Sequence, residues 1–421
     1  MLSVLRQKNF ALLWTGGAVS LLGDWVLFVA LPFYVYSLTG SALATGTMFI
    51  VQTLPRLLLS SPAGVFVDRW NRKYTMFATE LAQAFVLLPL LFVHSREWVW
   101  IVYLFAFTES TLSQFFIPAK SAIIPNLVGK DHLMAANSLN SLSEQMTRLV
   151  GPALGGVLLG LVGINVVVLV DVASFVYSAL SIMLITLASA AVKGDRQLTD
   201  TRARLIAIWR EWLAGLHLVK KERLVTAIFA VVGLAMIAEG ITMVLIVPFV
   251  KVILHGNALT LGWILSAQPL GGLISALLVG RASKVLQPRV LIALSAIIIG
   301  TFFMLLVNIP LLSVVLVLIA LIGLFVIGMF VSIQTLLQVS VADEYRGRIF
   351  GAFMMIMAAT TLVGMALASL LADSVGIVPM MDLAASCYIL AGIIAFIMIH
   401  GAAKPIVANE ARSPEQPVEV A

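Results

Sequence analysis

The segment Gly64-Val65-Phe66-Val67-Asp68-Arg69-Trp70-Asn71-Arg72-Lys73 separates two apolar runs, 43–67 and 74–94. Each run is long enough to cross a hydrocarbon core, which takes roughly 20 apolar residues. Charges packed between two such runs stay in water at one face of a bilayer. The segment therefore reads as a tight turn joining two membrane-spanning helices.

Outward from this turn the same pattern repeats. Apolar spans are expected at 10–36, 43–67, 74–94, 98–117, 138–162 and 165–192, then at 224–250, 259–280, 290–307, 311–337, 349–372 and 378–400. The runs are continuously apolar rather than alternating, so they predict helices and not the strands of a barrel. Charged residues make up 11% of the chain and apolar residues 61%, with a mean hydropathy of +1.07. A soluble domain carries about 25% charge. The expected fold is an all-α membrane protein of 12 transmembrane helices.

The basic residues fix an orientation. With a cytoplasmic N-terminus, all but four of the 26 lysines and arginines fall on the cytoplasmic side; Arg96 and Lys251 are outside, and Arg56 and Arg148 lie within spans. This positive-inside asymmetry accounts for the net charge of +6 without invoking nucleic acid. Lys120 and Lys130 count as loop residues in this scheme. Both termini are expected in the cytoplasm of a bacterial inner membrane, and the protein is expected to be a monomer. The first apolar run is too long for a cleavable signal and reads as a retained span. The lone Cys387 rules out an intramolecular disulfide and reads as a packing residue.

The second half echoes the first at an offset of about 213–216 residues. Gly40-Ser41-Ala42-Leu43-Ala44-Thr45-Gly46 aligns with Gly256-Asn257-Ala258-Leu259-Thr260-Leu261-Gly262, and Leu149-Val150-Gly151-Pro152 with Leu362-Val363-Gly364-Met365. Residues 1–192 and 224–400 thus form two six-helix bundles, with a substrate expected between them and alternating access as the mechanism. The connector 193–223 contains an interfacial amphipathic stretch around Trp209 and Trp212. The Pro- and Glu-rich end, 401–421, is expected to be a disordered cytoplasmic tail.

Residues 64–73 resemble the G-x-x-x-D-R-x-G-R-K signature of the major facilitator superfamily, with Asn71 in place of the second glycine. Asn tolerates a left-handed turn better than other non-glycine residues. The resemblance implies a gating motif of Gly64, Asp68, Arg69, Arg72 and Lys73. Gly64 would permit close helix contact, and Asp68 would dock near Gly347-Arg348-Ile349 at the start of span 11.

Span 5 carries Gly151-Pro152-Ala153-Leu154-Gly155-Gly156, which resembles the G-P-x-x-G-G core of the antiporter motif in drug-exporting members. The proline bends the helix, and Gly151, Gly155 and Gly156 allow tight packing. With Leu22-Gly23-Asp24, Phe116-Ile117-Pro118-Ala119 and Ala136-Asn137-Ser138-Leu139, the first half resembles the macrolide-efflux and siderophore-export branch.

Six acids fall within spans: Asp24, Glu80, Glu109, Glu144, Asp171 and Glu239. A charge at the bilayer centre costs about 2.5–3.5 kcal/mol or more, so each acid needs a partner, water or a proton. Asp24, Glu109 and Glu239 are the proton-coupling candidates, Asp24 foremost. The substrate cavity is expected to include Trp25, Phe28, Gln52, Arg56, Glu144, Arg148, Met236 and Met243, with Phe33, Met354, Met355 and Met357 as further adaptable apolar surface. Glu144 and Arg148, four residues apart, are expected to pair. Arg56 is expected to meet Asp24 or Glu109, and Glu80 and Asp171 are assigned to structural or lipid-interface roles.

No phosphate-binding loop, metal cluster or nucleophile elbow stands in the sequence, which argues against an ATP-driven pump or an enzyme and calls for no cofactor and no metal. The reading is a proton-coupled exporter of amphipathic small molecules such as drugs or macrolides, its partners being that substrate, protons and the lipid bilayer. A siderophore or lipid exporter is the alternative within the carrier class; an arginine pair facing the cavity would favour anionic cargo. A non-transporting membrane sensor of the same fold is the alternative outside it.

Overall fold

In hydrocarbon every backbone N–H and C=O must find a partner inside the protein, and continuous apolar runs answer that demand as helices. The computed structural model describes residues 2–186, 223–341 and 343–399. The connector 187–222 and the tail 400–421 lie outside the described residues, together with the expectations placed on them. Eleven continuous helices among the described residues are long and apolar enough to span a membrane. One of them, Leu133–Met183, holds a residue with non-helical backbone, Gly163 at φ 78° and ψ 176°. Only glycine adopts that conformation readily. The break divides this helix into two spans and brings the total to twelve.

In chain order these are α1 (Lys8–Thr39), α2 (Ala42–Val67), α3 (Arg72–Leu87, continued by a 3-10 turn Leu88–Phe92), α4 (Val99–Val128), α5 (133–162) and α6 (164–183). The second half comprises α7 (Arg223–Pro248), α8 (Ala258–Val285), α9 (Pro288–Asn308), α10 (Leu312–Ser340), α11 (Asp343–Val375) and α12 (Ile377–Met398). Twelve crossings return the chain to its starting face. That face, with the α2–α3 turn, is the near side; the face with the α1–α2 turn is the far side.

Local chemistry sets the turns. Gly40, at φ 62°, closes α1 through a bond from its N–H to the Tyr36 carbonyl (2.9 Å), and the Ser41 hydroxyl caps α2 by accepting from the Ala44 N–H at 3.3 Å. Asn71 does not take the left-handed turn expected of it. Its φ is −72°, and its Oδ1 accepts from the N–H groups of Lys73 (3.1 Å) and Tyr74 (3.3 Å) as the N-cap of α3. A short amide acceptor serves that position better than glycine. Lys73 donates from Nζ to the Met183 and Ile185 carbonyls (2.8 and 2.7 Å), satisfying the C-terminal end of α6.

Among the described residues two helix pairs supply most of the contact between the halves, α5 with α8 and α2 with α11. Gly151 and Gly155 present one face of α5 to α1: a β-carbon at Gly155 would fall 2.6 Å from the Val26 carbonyl oxygen, and one at Gly151 would meet the Trp25 side chain. Pro152 and Gly156, one position further round, face α8. A β-carbon at Gly156 would lie 2.5 Å from the Ala258 carbonyl, and one at Gly262 would lie 2.5 Å from the Pro152 carbonyl. Small residues thus let backbones meet on two adjacent faces of α5. The Ala153 N–H donates across the interface to Ser266 Oγ at 3.1 Å.

The repeat is visible in these contacts. Gly46 in α2 packs on Ser369 and Val244 across the interface, as its counterpart Gly262 in α8 packs on Pro152 and Ala153. Gly364 in α11 meets the Ile237 backbone of α7, as Gly151 in α5 meets Trp25 of α1.

These contacts concentrate in the far half of the membrane, where Lys251 Nζ also donates to Ser37 Oγ (2.8 Å) and lies 5.1 Å from the Phe33 ring centre. On the near side the β-carbon positions of Gly64 and Gly347 have nothing within 4 Å among the described residues. Among the described residues Gly64 therefore makes no close helix contact of the kind expected of it. Asp68 is exposed at the C-terminal end of α2, and the side chain of Arg348, next to its expected docking point, lies outside the described residues.

Candidate transport site

Two compartments meet at α1. The first, about 210 Å³, lies within the first half. Its polar lining is Asp24 from α1, Gln52 from α2, Glu109 from α4 and Asp171 from α6, set among apolar walls that include Met48 and Phe105. The second, about 430 Å³, lies between the halves and is lined by Arg56, Arg148, Glu239, Thr242, Met243, Gln268 and Tyr388 within an otherwise apolar wall. Trp25, Phe28 and Pro32 line both, so one short stretch of α1 is the partition.

The acids of the first compartment act on one another. The charge of Asp24 is felt by Asp171, Glu109 and Glu80, and Lys120 is the cation set against them. Glu109 Oε1 accepts from Ser113 Oγ at 2.9 Å, and the Gln83 amide donates to that hydroxyl at 3.1 Å. Asp171 is fully buried; its Oδ1 accepts from Ser174 Oγ at 3.0 Å, while Oδ2 has no hydrogen-bond partner among the described residues. Glu80, 1% exposed, accepts from Ser20 Oγ (3.2 Å) and Ser178 Oγ (2.9 Å).

Several expectations change. Glu80 and Asp171 do not face lipid; both are buried where α1, α3 and α6 pack. Lys120 is not a loop residue, because α4 runs to Val128 and carries it into the bundle. Its Nζ would lie 3.3 Å from a β-carbon at Gly17, and its charge interacts with Glu144, Glu80 and Asp24. Glu144 answers Lys120, whereas Arg148 lies over the Trp25 ring at 5.9 Å and acts on Glu239. The four-residue spacing puts Glu144 and Arg148 on one helix face, but each interacts with a charge from another helix.

Of the residues expected to line the cavity between the halves, Trp25, Phe28, Arg56, Arg148 and Met243 do. Gln52 lines the first compartment instead, Met236 is 8% exposed in the packing of α7, and Glu144 lines neither. Met354, Met355 and Met357 are not among the lining residues of the second compartment either. Arg56 lines the second compartment and not the one holding Asp24 and Glu109.

Asp24 and Glu239 end in different compartments. They stand one residue out of register in the repeat, and one residue turns a helix by about 100°. Asp24 therefore points into its own bundle, and Glu239 into the space between bundles, where it accepts from Tyr388 Oη at 3.4 Å.

Three comparisons bear on what this arrangement serves. A family model described as "Transmembrane secretion effector" matches residues 1–421. Macrolide efflux protein A of Streptococcus pyogenes is 26% identical, the match covering 88% of this chain and 91% of that protein; the multidrug efflux pump Tap of Mycolicibacterium fortuitum is 28% identical over 84% and 87%. A bacterial homologue of the iron transporter ferroportin, solved in its inward-facing state, shares the fold with a TM-score of 0.77 at 16% identity, covering 94% of this chain and 99% of that one.

Proposed function

The chain belongs to the transmembrane secretion effector family of major facilitator transporters, and from that premise we propose that it is a proton-coupled exporter of amphipathic small molecules. The observation that carries this reading is the pair of compartments divided by Trp25, Phe28 and Pro32. The acid compartment is the proton site, with Asp24 and Glu109 as carriers. The larger, mostly apolar compartment receives the cargo. Glu239, the third proton candidate, sits in the cargo compartment beside Tyr388.

In this reading the near side is the cytoplasm of a bacterial cell, and the captured state is open to it. Cargo enters between the bundles from the cytoplasm or inner leaflet. Closing the near side brings the α2–α3 motif toward α11, while the α5–α8 and α2–α11 contacts on the far side part. Protons arriving from outside then neutralise the acid compartment. Because buried carboxylates tolerate a low-polarity packing only when neutral or paired, their protonation state changes how α1 sits against α4 and α6. Since α1 also walls the cargo space, proton binding biases which side opens. The driving force is the proton gradient with the membrane potential, the latter about 2.3 kcal/mol per charge per 100 mV.

The efflux functions of the macrolide and multidrug relatives support an outward direction. The test is a growth-inhibition panel in an efflux-deficient bacterium. Expression of the protein raises tolerance to a subset of amphipathic compounds, and Asp24→Asn abolishes the gain at equal membrane abundance. Equal tolerance with and without the protein across the panel would argue against export.

A further inference from the structure

The charged lining of the cargo compartment is unequal. Among the described residues Arg56 from α2 and Arg148 from α5 line it, both of them exposed, against one acid, Glu239. Glu239 accepts from the Tyr388 hydroxyl and offsets one of the two cations, Arg148, which leaves the lining with one positive charge in excess. The acids of the first half do not offset the arginines, because Asp24, Glu109 and Asp171 open into the other compartment behind Trp25 and Phe28. The two cations belong to one bundle, whereas much of the apolar wall, including Met243, Ile264, Ile299, Phe303 and Ile319, belongs to the other.

We propose that the cargo is an amphipath with an anionic head, a carboxylate or sulfonate, held by Arg56 and Arg148 while its apolar body lies on the second-half wall; this rests on the export reading above. A guanidinium offers parallel N–H donors matched to a carboxylate, and such charge-assisted bonds are about twice as strong as neutral ones. Arg148 is held over Trp25, which presets its position before cargo arrives. An ammonium head would meet a lining with excess positive charge and compete for the single acid. A cargo bridging both bundles in this way is gripped when they close together and loses its second wall when they part.

The test is equilibrium binding to the purified full-length protein of three ligands on one scaffold: biphenyl-4-acetate, its neutral amide and 4-biphenylmethylamine. The carboxylate is expected to bind about tenfold or more tightly than either relative, equivalent to about 1.4 kcal/mol. Arg56→Gln and Arg148→Gln should each remove most of that preference while leaving amide affinity within about threefold. The wild-type series stands without the variants should either fail to fold. Equal or tighter binding of the amine, or no measurable carboxylate binding, overturns the anionic assignment. Gradient-driven export of the amine with no carboxylate preference would overturn it while leaving export intact. Absence of transport for every compound would instead strike the export reading.

Discussion

The guanidinium of Arg148 lies over the ring of Trp25, 5.9 Å from its centre, so a cation lining the cargo space rests on the residue that partitions it from the acids. Trp25 also meets Phe28 edge-to-face at 5.2 Å between ring centres. Removing the indole takes away the largest of the three side chains that partition the two compartments. Trp25→Ala is expected to raise proton leak without cargo several-fold in proteoliposomes containing a pH-sensitive dye, and Trp25→Phe to leave it near the wild-type rate.

The far-side seam depends on missing side chains. Gly156→Leu would drive carbon into the Ala258 and Leu259 backbone in the present state but not once α5 and α8 separate. Overpacking of this kind costs about 1–3 kcal/mol, enough to move the two-state balance by about fivefold to 150-fold. Labelling of a cysteine placed at Leu259, in a Cys387→Ser background, by an impermeant maleimide from outside should accelerate accordingly.

Lys251 closes the same seam from the end of α7, through Ser37 and the Phe33 and Tyr36 rings. Lys251→Ala removes one hydrogen bond and two cation–π contacts, about 1 kcal/mol together at this partly exposed place. A several-fold rise in far-side accessibility is expected, smaller than that of Gly156→Leu, in the same labelling experiment.

Glu80 joins helices through two serine hydroxyls. Glu80→Ala leaves Ser20 and Ser178 facing a void and should lower stability by about 2–4 kcal/mol. Glu80→Gln keeps an acceptor and the volume, and should cost about 1 kcal/mol. Thermal unfolding in detergent ranks the two, and equal losses would remove the hydrogen-bonding role.

Much of this architecture is legible in the amino-acid order. Span length gives twelve helices because it follows from the solvent rather than from packing. The role of Gly151, Pro152, Gly155 and Gly156 is readable because close approach requires small residues whatever lies opposite. The acid compartment is harder to read. Hydropathy does not distinguish a helix face buried in lipid from one buried in protein, so Glu80 and Asp171 read as peripheral. Lys120 read as a loop residue because an apolar count ends at residue 117, although α4 continues to Val128 with its bundle-facing side intact. The one-residue register difference between Asp24 and Glu239 was present in the repeat. Its consequence, two compartments in place of one, needed the helices' rotation about their own axes.

The claim on which the rest depends is that H⁺ moves through the compartment of Asp24 in exchange for cargo in the neighbouring one. The direct measurement is cargo-dependent proton countertransport in proteoliposomes, comparing wild type with Asp24→Asn. The account predicts that cargo movement down its gradient drives opposing proton flux in the wild type. In Asp24→Asn cargo exchange continues, while proton flux falls by about tenfold or more. Proton flux in Asp24→Asn equal to wild type, at equal cargo flux, would contradict it.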